Sequence, residues 1–152
     1  MNYKLVIKIL LLISWMTLIF GFSNQDSDHS SEVSDGLIYR VSKTILGKNY
    51  EKITKSKSYD TVVLVVRKSA HAFVYFVLSL IAFSLFYEFY GVSKRTIIIT
   101  IIFCFLYSIS DEFHQLFISG RSSEIRDVLI DTTSSSVSAC FNYFIRKKVK
   151  KK

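Results

Sequence analysis

The sequence predicts an all-α integral membrane protein: a four-helix bundle with an amphipathic interfacial helix between helices 1 and 2. Three observations lead there. Half of the 152 residues are hydrophobic although twenty are Lys or Arg, and the mean hydropathy is positive. Apolar runs separated by charged segments are the usual origin of that combination. There is no proline and there are five glycines, so the runs hold few helix breakers. The runs themselves fall at residues 5–22, 67–90, 96–117 and, more weakly, 125–145. The chain length suits a single domain, residues 1–152. Nine tyrosines and thirteen phenylalanines suit amphipathic belts at a bilayer interface.

The first run is interrupted only by Lys8 and contains Trp15. At the helical rise it covers roughly 27 Å, nearly a hydrocarbon core. Lys4 and Lys8 ahead of an apolar stretch also resemble a secretion signal. Gly21-Phe22-Ser23 is, however, a poor small-residue cleavage site, and three more apolar runs follow, so a retained helix is expected. Residues 23–66 form a polar outer loop that begins with a turn at Ser23-Asn24-Gln25-Asp26-Ser27-Asp28. Within it Val33, Leu37, Val41 and Ile45 recur at every fourth position, with Asp35, Arg40 and Lys43 on the other side. That pattern predicts an amphipathic helix on the membrane surface or capping the bundle; the alternative is a loosely ordered loop. Residues 47–58 read as a solvated linker.

The second span, 67–90, has residues 62–66 as a backward extension, and a basic turn with Lys94 and Arg95 follows it. The third begins with an intensely apolar stretch and becomes polar at Ser108, Ser110, Asp111, Glu112, His114 and Gln115. A tight turn at Ser119-Gly120-Arg121-Ser122-Ser123 leads to the fourth, which carries Asp127, Asp131, Ser134, Ser135, Ser136 and Ser138. Hydropathy alone does not support that helix, since a central Asp costs ~2.5–3.5 kcal/mol on insertion scales. Its small residues and hydroxyls suit a bundle interior instead. Residues 146–152 form a basic tail.

The net charge of +8 does not indicate a nucleic-acid partner, because the basic residues lie at the edges of apolar runs and in the tail, where headgroups would be. Cys104 and Cys140 both sit inside apolar runs, as small buried hydrophobes do, and have neither disulfide-framework nor metal-ligand spacing. The positive tail, the Lys94-Arg95 turn and Lys4 with Lys8 predict both termini in the cytoplasm of a multi-pass membrane protein.

With four alternating helices, the ionisable residues of the last three fall at one end. His71 lies ~5 Å below that end on span two, and His114 and Gln115 ~5 Å below it on span three. Asp111 and Glu112 lie ~10 Å down, Asp127 ~5 Å and Asp131 ~10 Å. Lys68, His71 and Tyr75 share a helical face, as do Asp111, His114 and Gln115, while Asp127 and Asp131 stack at i,i+4. Arg67, Lys68, Arg121 and Arg126 nearly balance Asp111, Glu112, Asp127 and Asp131, as a partly buried polar cluster needs. No metal or cofactor is expected, because Glu112-Phe113-His114 lacks the spacing that puts two histidines on one helical face. His29 reads as an exposed loop residue.

Three blocks carry a family resemblance. Trp15-Met16 through Phe22-Ser23-Asn24-Gln25 is similar to an opening helix with an S-x-Q-type exit. Arg67-Lys68-Ser69-Ala70-His71-Ala72-Phe73-Val74-Tyr75 matches R-K-x-x-H-F-x-x-Y. Ser110-Asp111-Glu112-Phe113-His114-Gln115-Leu116-Phe117 with Gly120-Arg121 matches S-D-E-x-H-Q-x-F-x-x-G-R, and Arg126-Asp127-Val128-Leu129-Ile130-Asp131-Thr132 continues it as R-D-V-x-x-D/N-T. On these residues the chain resembles the VanZ-like family of small bacterial membrane proteins. Ser119 stands where the family commonly has proline, loosening the outer turn. Residues 134–138 replace a Gly/Ala-rich face, from which a wider packing distance is expected. The resemblance implies a multi-pass plasma-membrane protein and, for the founding member, low-level resistance to teicoplanin. That drug carries a lipid tail and acts at the outer membrane face. The resemblance supplies no reaction.

Three readings stay open. One is a VanZ-like role in glycopeptide resistance or cell-envelope homeostasis. The second is a membrane-embedded enzyme on an anionic envelope lipid or lipid-linked cell-wall precursor. In it, Glu112 or His71 would be the general base and Asp127 and Asp131 electrostatic partners. Arg67, Lys68, Asp111, His114, Gln115, Arg121 and Arg126 would bind the ligand. The third is a structural or partner-binding subunit whose cluster fixes helix register. The expected partners are membrane lipids, with a lipid-linked cell-wall precursor or a lipoglycopeptide at the outer face.

Overall fold

A computed structural model describes residues 3–24, 36, 58–118 and 124–150. The expected amphipathic helix, the linker through residue 57, His29 and the 119–123 turn with Arg121 lie outside the described residues. Four long helices make up nearly all of the described chain: α1 (Tyr3–Ser23), α2 (Ser58–Tyr90), α3 (Lys94–Gln115) and α4 (Ile125–Lys150). The stretches Tyr3–Ser23, Leu64–Tyr90 and Lys94–Gln115 are long and apolar enough to cross a membrane. The chain is thus an all-α membrane protein.

Two boundaries extend beyond the expected spans. α2 starts at Ser58, because nothing between it and Arg67 breaks a helix. α4 runs on to Lys150, taking in most of the basic tail; lysines in a last turn face the negative end of the helix dipole. The α2–α3 connection is short. Gly91 adopts φ +58° and its N–H donates to Tyr87 O at 2.9 Å, a left-handed C-terminal stop that suits glycine. Ser93 then caps α3, accepting from the Thr96 N–H at 3.2 Å.

α2 is the hub. It packs against the other three helices, α4 most extensively; α4 also lies along α3, and α1 rests on α2 with lesser contact to α3. Leu12 and Ile19 of α1, Tyr75, Leu78, Ala82 and Leu85 of α2, and Cys104 of α3 form the buried apolar core. Ile7, Leu10, Leu11, Ile13 and Phe20 of α1 face outward, as a lipid-facing helix requires.

Several polar side chains inside the bundle end on backbone carbonyls. Trp15 Nε1 donates to Val74 O at 2.9 Å, and Tyr107 OH to Met16 O at 2.6 Å. Lys8 donates to Ser84 O at 3.0 Å and pairs with Glu88. Three serines of α4 do the same along α2. Ser134 Oγ reaches Ala72 O at 2.5 Å, Ser135 Oγ Tyr75 O at 3.3 Å and Ser138 Oγ Phe76 O at 2.8 Å, while Ser79 Oγ returns to Ser135 O at 2.8 Å. The wider packing expected of this serine face is therefore corrected. A hydroxyl on one carbon reaches a facing main chain only when the helices approach closely, so serine here acts as a small residue that also binds.

Candidate functional site

All four helices contribute to the polar end. α1 supplies Ser23 and, just beyond it, Asn24; α2 supplies Lys68, His71 and Tyr75. Ser108, Asp111, Glu112, His114 and Gln115 come from α3, and Glu124, Asp127 and Asp131 from the start of α4. The antiparallel alternation brings them to one level, as the sequence predicts.

The uppermost layer is ionic. Lys68 pairs with Asp127 and, at 3.2 Å, with Glu124. Its side chain is 25% exposed and that of Asp127 12%, so the pair is only partly screened by solvent. Glu112 Oε2 accepts the Glu124 N–H at 3.0 Å, which places an α3 carboxylate over the first turn of α4. Unpaired amides and the positive end of the helix dipole favour an anion there. Asp127 donates its own N–H to Glu124 O at 2.9 Å.

Below lies a nearly dry layer. Gln115 Nε2 donates to Ser23 Oγ at 3.0 Å and, at the limit of a hydrogen bond, to Asp111 Oδ2 at 3.5 Å. Tyr75 OH lies 3.4 Å from the same oxygen. Ser108 Oγ donates to Asp131 Oδ2 at 2.9 Å. Asp131 is 1% exposed and Tyr75 and Ser108 are fully buried. Among the described residues no lysine or arginine pairs with Asp131, and its Oδ1 has no hydrogen-bond partner. To one side, His114 stacks on Phe20 with ring centroids 4.4 Å apart, and its Nε2 lies 3.4 Å from Asn24 Oδ1.

The VanZ/LLP1 family model matches residues 8–146. The chain belongs to the VanZ/LLP1 family. No curated protein and no solved structure matches it. The blocks that carry the VanZ resemblance supply the layers just described. Arg67 to Tyr75 provides the α2 face, Ser110 to Phe117 the α3 face and Arg126 to Asp131 the α4 face.

The structure gathers Lys68, His71, Asp111, Glu112, Gln115, Asp127 and Asp131 at one end of the VanZ/LLP1 bundle. His114 stands at its edge beside α1. Arg126 lies on the exposed side of α4, and Arg67 is half-buried on α2. Lys68 is held by Asp127 and Glu124, while Asp131, bonded to Ser108, lies about a helical turn deeper on α4. Glu124, not among the charges balanced in the sequence, adds a fifth carboxylate to the cluster, so the near balance of charge tips toward acid. Ser23, Asn24 and Ser108 are partners that charge-based reading passed over. The signals available for them were the exit motif after α1 and the position of Ser108 at i−3 from Asp111 on α3.

Chemically the end offers a hydroxyl and carboxyl chain out of water, under an ion pair. No group of three His, Cys, Asp or Glu side chains among the described residues is placed to hold a metal ion.

Proposed function

We propose that this VanZ/LLP1 protein works in the plasma membrane with both termini cytoplasmic. Its polar end engages a lipid or lipid-linked cell-wall precursor at the outer face and so lowers the action of teicoplanin-type glycopeptides. The observation that carries the reading is the convergence of buried polar groups from all four helices on one end. Ionisable groups are costly in a bilayer and are usually retained for use. The family membership supports the envelope setting, and the lipid tail of such a drug fits a target at the membrane surface.

The test is susceptibility. Expression in a sensitive host raises the inhibitory concentration of teicoplanin and of lipoglycopeptides. Glu112→Gln and His71→Ala each abolish that effect while the protein stays folded and inserted. Unchanged susceptibility on expression of the wild type overturns the proposal. Persistence of the effect in both variants removes those two residues from it.

A second reading has its own support. The Lys68 pair and the Glu112 contact to the start of α4 are what a helix-docking device would need. On that reading the cluster exists to seat an otherwise poorly apolar α4, and compensating charge swaps restore whatever single changes remove.

A further inference from the structure

At the end of the bundle opposite the polar cluster, an open cavity of about 290 Å³ is lined by Val92, Tyr143, Lys147 and Lys150. Tyr143, Lys147 and Lys150 fall at i, i+4 and i+7 on α4 and so share one face. Lys147 Nζ lies 5.4 Å from the centre of the Tyr143 ring, which holds the ammonium against the wall of the cavity. Arg146 turns the other way, over Tyr87 at 4.4 Å.

Depth identifies the occupant. Val92 lies in the turn between α2, which ends at Tyr90, and α3, which starts at Lys94. Both stretches are membrane-crossing by length and composition, so this turn lies where the spans leave the hydrocarbon, at the level of lipid headgroups. Charge agrees. Glu88 is the one acidic residue among the described residues at this end, and Lys8 already pairs with it. Two lysines therefore face the cavity with their charge unanswered among the described acids, above a tyrosine whose ring suits the upper acyl chain.

We propose that this cavity binds the phosphate headgroup of an anionic phosphoglyceride. The ammonium groups of Lys147 and Lys150 meet the phosphate as charge-assisted donors, and Tyr143 and Val92 line the approach of the glycerol and first methylenes. The site is independent of the reading offered for the opposite end, and of which face that end presents.

The purified full chain, titrated with phosphatidylglycerol, phosphatidylcholine and inorganic phosphate under native mass spectrometry, tests this. The expected result is a saturable phosphatidylglycerol adduct that phosphatidylcholine does not match and inorganic phosphate does not displace. Lys147→Ala with Lys150→Ala weakens it by about fivefold for each lysine. Lys148→Ala with Arg95→Ala removes the same charge away from the lining and leaves the adduct nearly unchanged. Equal weakening by both pairs, which would mean diffuse attraction, overturns the proposal. So does equal binding of the zwitterionic lipid, or displacement by inorganic phosphate, which would mean a free-phosphate site. Susceptibility to glycopeptides is not read in this experiment, so its outcome and that of the outer-face proposal are separable.

Discussion

Lys68 shows how much a single side chain decides at the polar end. Its ammonium bridges Asp127 and Glu124 at the start of α4, and removing one partner of a largely buried ion pair leaves the other charge uncompensated. Lys68→Glu is expected to destabilise the protein by about 2 kcal/mol or more, somewhat below the fully buried case because solvent reaches the lysine. Combining it with Asp127→Lys recovers most of that loss, whereas combining it with Asp131→Lys deepens it, since Asp131 is a turn lower and bonded to Ser108. Thermal unfolding in detergent distinguishes the two pairs. Recovery by the Asp131 pair alone would contradict the observed partnership.

At the scale of elements, α4 is the informative helix. By composition it is not among the stretches apolar enough to cross a membrane unaided, yet Asp127, Asp131, Ser135 and Ser138 are buried in the bundle. The hydroxyls of Ser134, Ser135 and Ser138 rest on α2 carbonyls, so the helix is polar toward protein and carries Leu129, Val137, Phe141 and Phe144 outward. Close approach, more than each hydrogen bond, is what this seam needs. Ser138→Ala is accordingly expected to cost less than about 1 kcal/mol, and Ser138→Leu about 1–3 kcal/mol through overpacking. Unfolding midpoints of the two variants check the order; a leucine variant as stable as the alanine one would show that the seam is loose.

For the whole molecule, the opposed ends carry opposite chemistry. One end gathers five carboxylates, two of them on Lys68, and the other gathers Lys94, Arg95, Arg146, Lys147, Lys148 and Lys150 with Glu88 as its one described acid. We propose that the basic end faces the cytoplasm, since Lys and Arg near span ends bias orientation that way. The expected outcome is therefore a fluorescent carboxy-terminal green-fluorescent-protein fusion and an inactive alkaline-phosphatase fusion at the same point. Active phosphatase there would invert the orientation and move the polar cluster to the inner face.

Much of this was legible in the sequence, for identifiable reasons. The apolar runs and the absence of proline determined helices, because backbone groups in hydrocarbon must be satisfied within the segment. Alternation of direction then determined that His71, Glu112 and Asp127 share one end, since depth follows from helical rise alone. Rotation about each helix axis and the choice among neighbours do not follow from rise or hydropathy. Only the tertiary structure decided that Lys68 takes Asp127 and Glu124, that Glu112 caps α4, and that serines bind α2 rather than hold it away. These depend on how closely two particular helices approach, which is set by packing across the whole seam.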